Sequence, residues 1–207
     1  MSTVYSDLEE THIGNFEVES GKLRISDPCY DKDLDPMHAT LLTEVANGSW
    51  KAEVIYSNEG TWGTRCAGLI CQLKTIPTVT HNDTGWEYRT DISVDSGQAG
   101  IYDEKYYKHN GVVIGLHRVH SETICDDDPW YSFNCDRTLS KKSAGVIPYG
   151  AVSSSGYGDG RYGVFVMRDE IDHEVVAVLI DFLLTEKANE EQNAEWEEEE
   201  WEEEDDE

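Results

Sequence analysis

Asp27, Asp95, Asp103, Asp159 and Asp181 stand in loops or at strand ends, three of them beside glycine, proline or serine. A sheet that carried them to one edge would make an oxygen-only cluster, the ligand set that Ca²⁺ or Mg²⁺ prefers. Such a cluster would suit a divalent-metal-assisted hydrolase. The competing reading is local, because an aspartate in a turn accepts the backbone amides beside it. Convergence of the carboxylates separates the two. Outside that cluster the sequence asks for no cofactor, and it assigns no catalytic residue.

Other constellations are thinner. Cys29 follows Asp27-Pro28 and would make a nucleophile if His38 lay near it as a base. A packed thiol is the simpler reading, since cysteine is among the most buried residue types. His117, His120, Cys125 and Cys135 have zinc-ligand chemistry without zinc-ligand spacing. Asp31, Asp33 and Asp35 imitate the start of an EF-hand loop, but Pro36 and Leu42 stand where that loop needs glycine and glutamate. Ser153, Ser154 and Ser155 do not form a G-x-S-x-G elbow.

The stretch SSSGYGDGRYG, from Ser153 to Gly163, concentrates Gly156, Gly158, Gly160 and Asp159 before an apolar run. Glycine permits positive φ, and Asp159-Gly160 is a hairpin dipeptide. The spacing predicts a structural turn joining strands at 146–153 and 162–168. The functional alternative makes its backbone amides and Asp159 a binding rim. A phosphate cradle would need a following helix, and here a strand-like run follows.

The elements that must position these residues are mostly strands. In WKAEVIY, from Trp50 to Tyr56, the apolar residues alternate with Lys51 and Glu53, as on a half-buried strand. Further strands are predicted at 15–19, 22–26, 65–73, 88–94, 112–119 and 174–182. Val175 to Ile180 are apolar at every position, so that strand should lie centrally with both faces covered. Asp35 as cap, Pro36 at the first helical position, and Met37, Leu41 and Val45 at four-residue spacing predict a short helix ending at Asn47-Gly48. A further turn is expected to begin at Asp103.

Charge limits the partners. The net charge is −27, and thirteen of the acids fall within 190–207, a stretch with no basic residue; setting those aside leaves −14 on the rest. Such a chain repels phosphate backbones, so direct nucleic-acid binding is not expected, and a basic protein surface is the natural partner. Residues 1–188 read as one β-rich globular domain, and 189–207 as an acidic low-complexity tail expected to be disordered. Within that tail Trp196 and Trp201 are candidate docking anchors. No run reaches membrane-spanning length and the first residues lack a signal-peptide pattern, so a cytoplasmic location is expected. Five cysteines at irregular spacing fit free thiols.

The segment SGYGDGRY, followed by the strand at 175–180 and then Asp181-Phe182, resembles the ending of a family catalogued as domain of unknown function 4241, with an SGWGDGxYPV-like segment and a strand closing in DF. VDSGQAGIYD, from Val94 to Asp103, is similar to that family's VDSGxxxxxD-like segment, and GKLRISDP, from Gly21 to Pro28, to its opening. Gly48 to Val54 and Arg65 to Leu69 fall where the family has a strand pair. Tyr157 and Gly163 depart from its usual tryptophan and proline. The resemblance implies a shared fold and brings no activity, cofactor or catalytic residue with it. The sequence therefore predicts a single mostly β domain, sandwich-like or mixed α+β, with one or two short helices, acting as an acidic interaction module.

Overall fold

The computed structural model describes residues 8–33, 38–117 and 128–186. Among these, eleven strands form two antiparallel sheets around one shared core. The first sheet runs β1 (Leu8–Val18), β4 (Gly48–Asn58), β5 (Thr64–Leu73), β11 (Val175–Asp181), β10 (Gly160–Arg168), β6 (Glu87–Val94). The second runs β3 (Ala39–Thr43), β2 (Lys22–Ser26), β7 (Gln98–Asp103), β9 (Gly150–Ser154), β8 (Ala144–Ile147). The architecture is a β sandwich-like domain. Leu23, Ile25, Trp50, Leu69, Ile101 and Ile180 are fully buried in its core. Each such side chain contributes about 1.5–3 kcal/mol on leaving water.

β11 shows why the apolar run was informative. It lies between β5 and β10, and all its residues before Asp181 are buried. Leu179 also lines a cavity with Trp86, Phe165 and Leu184, so its outward side is covered as well.

A helix, α1 (Pro129–Thr138), packs over the second sheet. Asp128 caps it by accepting from Tyr131 N at 3.0 Å, and Pro129 opens it. Its Trp130 joins Tyr102 and Tyr107 in a smaller cluster, with ring centroids 4.9–5.4 Å apart.

Three expectations are corrected. The helix predicted from Asp35 gives way to β3, which pairs with β2; residues 34–37 lie outside the described residues. Within β3, Leu42 is 2% exposed and Leu41 is 43% exposed, so Leu41, expected on a buried helical face with Val45, points to solvent and the four-residue spacing was coincidental. Where described, the strand predicted at 112–119 is instead a 3-10 turn, Asn110–Val112, followed by further turn as far as Gly115; residues 118 and 119 lie outside the described residues. The strand predicted at 146–153 is two, β8 and β9, paired through a tight turn at Pro148-Tyr149. The turn beginning at Asp103 is present, with Lys105 N donating to its carboxylate at 2.8 Å.

Candidate functional site

Asp27 follows β2 directly and is fully buried. Its carboxylate accepts from Cys29 N at 2.7 Å, Asp95 N at 2.9 Å, Ser96 N at 2.7 Å and Ser96 Oγ at 2.6 Å. It therefore staples the turn after β2 to the turn between β6 and β7. Asp103 does the same at the other end of the β2–β7 pair, accepting from Glu19 N at 2.6 Å, Ser20 N at 2.9 Å and Lys105 N. Four residues of strand separate these ends, about 13 Å. Asp181 accepts from Leu184 N at 2.7 Å and Thr185 N at 3.2 Å.

The ladders thus divide the five aspartates. β6 and β10 pair Val94 with Gly160, which leaves exposed Asp95 and Asp159 at neighbouring ladder ends near Asp27. Asp103 and Asp181 lie elsewhere, and Asp27, Asp103 and Asp181 already accept backbone amides. Among the described residues, no group of three or more His, Cys, Asp or Glu is placed to hold a metal ion.

Among the described residues, no hydrogen bond joins Cys29 to His38. The His38 ring packs edge-on against Tyr30, with centroids 5.2 Å apart. Burial, then the hydrogen bond to Asp27 and that carboxylate's charge, push the Cys29 thiol up to about 12, so it stays protonated at neutral pH. His117 is exposed and Cys135 half-buried, while His120 and Cys125 lie outside the described residues.

The glycine-rich stretch is not a hairpin. β9 belongs to the second sheet and β10 to the first, so residues 155–159 carry the chain across the sandwich. The left-handed positions are Gly156 (φ 46°) and Gly158 (φ 112°), and Gly160 is not among them. A Cβ on Gly156 would come within 3.2 Å of Leu183. The crossover is fastened throughout. Ser155 N donates to Gly97 O at 3.1 Å and Gly156 N to Cys66 O at 3.1 Å. Ser155 Oγ donates to Gly158 O at 2.8 Å, an oxygen that Tyr162 Oη also reaches at 2.7 Å.

This rigid crossover holds Tyr157 in solvent, 54% exposed. Beside it stands Trp62, 68% exposed, from a 3-10 turn, Gly60–Trp62, between β4 and β5. Their rings meet edge to face, 6.4 Å between centroids and 74° between planes. Glu59 completes the corner, accepting from Tyr157 Oη and Ser57 Oγ. Sequence reasoning missed Trp62 and Glu59. The available signal was a tryptophan lying between Gly60 and Gly63 in the loop NEGTWGT, a glycine-rich turn in which a large ring has no core to fill.

Fold and rim define a β sandwich-like domain with a fastened aromatic corner and with its inner carboxylates used in turns. The chain belongs to the family described as protein of unknown function (DUF4241), which it matches over residues 16–180. No curated protein and no solved structure matches it. No helix among the described residues is long and apolar enough to cross a membrane.

Proposed function

We propose that this domain is an acidic interaction module that docks on a basic polypeptide surface through the rim of Trp62, Tyr157 and Glu59. The observation that carries the reading is the exposed Trp62–Tyr157 pair on a backbone whose hydrogen bonds are already made. Aromatic anchors dominate protein interfaces, and a pre-ordered loop loses little entropy when it docks. The net charge of −27 supports a basic partner and steers its approach. On this reading the tail at 189–207 extends the acidic field, and Trp196 and Trp201 serve as further anchors.

Labelled peptides of graded net charge provide the test. Affinity should rise with positive charge and fall with added salt. The Trp62→Ala/Tyr157→Ala double variant should bind a basic peptide about tenfold or more weakly, as expected when anchors are lost. A chain ending at residue 188 should also bind it more weakly. Equal binding of acidic and basic peptides, or unchanged binding by the double variant, would remove the proposal.

A further inference from the structure

A cavity of about 520 Å³ opens between β1, β8 and α1, a size typical of ligand sites. Phe16, Leu116, Phe133, Ile147 and Tyr149 give it an apolar lining, and Arg137 gives it a guanidinium. We propose that it takes the C-terminal end of a partner polypeptide, with an apolar last side chain on the lining and the free carboxylate on Arg137. The site is separate from the rim. β1 pairs Leu8 with Ser57, beside the turn that carries Trp62, and Glu17 with Ser49, about 26 Å further along β4.

A guanidinium has five hydrogens to donate. Arg137 uses one from each nitrogen, Nε to Val146 O at 3.2 Å, Nη1 to Asp136 Oδ2 at 3.1 Å and Nη2 to His117 O at 3.5 Å. One hydrogen therefore remains on each terminal nitrogen, and a carboxylate takes such a pair as a two-bond fork. The group is held in place before any ligand arrives. It lies 4.3 Å from the ring centroid of Phe133, one helical turn back on the same face of α1. Its stem passes Gly145, where a Cβ would come within 2.8 Å of Arg137 Cδ. Asp136 and the net charge of −27 both oppose a bare anion, so affinity comes from these directed bonds and the lining, and a basic residue upstream of the carboxylate offsets the field.

β1 supplies the rail along which such an end enters. It stands at the edge of the first sheet and, among the described residues, pairs only with β4. Alternate residues of an antiparallel edge strand point their N–H and C=O groups away from the sheet. Asn15, Phe16 and Glu17 line the cavity, so this free edge offers main-chain pairing to an extended segment beside it. Tyr149 is fixed on the β8–β9 turn, with φ 64°, its carbonyl accepting from Asp103 N at 2.8 Å and its ring stacked on Tyr106 at 3.6 Å. A terminal residue carries an apolar side chain and a carboxylate on one Cα, which matches an apolar lining beside one guanidinium. An internal residue would have to lead its chain on past a bridge that already joins α1, β8 and His117.

The experiment titrates the full chain with four versions of one short fluorescent peptide that contains a single lysine. The first ends in phenylalanine with a free carboxylate, the second in phenylalanine carboxamide, the third in alanine with a free carboxylate, and the fourth in glutamate carboxamide. The first should bind about tenfold more tightly than the second, which lacks the charge-assisted bonds, and about tenfold more tightly than the third, which lacks the ring. Arg137→Gln should erase the preference for acid over amide, and the Trp62→Ala/Tyr157→Ala double variant should leave it unchanged. If Arg137→Gln fails to fold, Leu116→Asp, at a position 42% exposed, sets a like charge in the cavity and should remove the same preference. Equal binding of acid and amide would overturn the inference, as would a preference that survives Arg137→Gln. Binding of the glutamate carboxamide as tight as the first peptide's would also overturn it, because a side-chain carboxylate would then serve. None of these outcomes bears on the rim, whose own test is the graded-charge series with the double variant.

Discussion

The turn around Asp27 and the crossover at 155–159 lie at the same end of the β6–β10 ladder and use the same residue types, aspartate, serine and glycine. One turns its polar groups inward and the other turns its ring outward. Asp27 is fully buried and accepts four hydrogen bonds, three from backbone amides. Asp159, in the crossover, is exposed, and the loop is fastened through Ser155, Gly156 and Gly158 instead. The difference shows that residue type does not decide whether a loop aspartate does chemistry. What decides it is which backbone amides face the carboxylate in the fold.

The sharpest way to break that contrast is to exchange the two aspartates' fates. Asp27→Ala leaves three amides and one hydroxyl without their acceptor, at about 1 kcal/mol or more each. Urea denaturation should therefore show a loss of about 3 kcal/mol or more, set against a change within about 0.5 kcal/mol for Asp159→Ala. Comparable losses would mean that Asp159 carries structure after all. Adding millimolar Ca²⁺ or Mg²⁺ should leave both midpoints where they were, whereas a bound cation would raise the wild-type midpoint by mass action.

Alkaline pH should separate the buried face from the rim next. Burial pushes the Cys29 and Cys66 thiols up to about 12 from 9.0 and holds Cys71 well above its ordinary value. Below pH 9 both folded and unfolded chains keep these protons, so the stability is complete. As pH rises from 9 toward 12, the unfolded chain releases protons that the folded chain retains. Stability must then fall over that window, and Cys29→Ser should lessen the slope. Urea midpoints that stay flat across it would show the thiols to be less buried than the structure has them.

The backbone of the crossover gives a smaller effect. Gly156→Ala places a Cβ against Leu183 at a φ of 46°, and should cost about 1–2 kcal/mol. Gly160→Ala, in the strand and without a left-handed φ, should cost less than Gly156→Ala when the two are melted side by side. The reverse order would restore the hairpin that the sheet order rules out.

What the sequence shows of this molecule follows from what is local. β2, β4, β5, β10 and β11 are visible because their burial alternates or saturates within a few residues. β7 is not, since it is buried at every position and includes Gln98 and Gly100, whose roles depend on neighbouring strands. A Cβ on Gly100 would meet Ala151 O at 2.6 Å, a contact no local pattern announces. The same Asp-Pro signature that misled at Asp35 does open α1 at Asp128-Pro129, where aromatic partners are present to cover it. The turn role of Asp27 could be read from its neighbours, but its partners Asp95 and Ser96 are 68 and 69 residues away. For the same reason the pairing of Trp62 with Tyr157, across two separate loops, could not be read from either one alone.

The smallest effect tests whether the rim is a surface for binding or a disguised piece of core. Tyr157→Trp keeps an aromatic wall beside Trp62 and gives up the hydroxyl that Tyr157 donates to Glu59. That bond is solvent-exposed, so its loss should change stability by no more than about 0.5 kcal/mol. Binding to a basic peptide should stay within a few-fold of wild type, because the larger indole face compensates for a less firmly oriented Glu59. Tyr157→Ala removes the wall and should weaken binding while leaving the melt almost unchanged. If Tyr157→Trp destabilises the fold as much as Gly156→Ala does, the ring is packed structure rather than an anchor held in solvent. The contrast between the inward turn and the outward crossover would then collapse at its outward side.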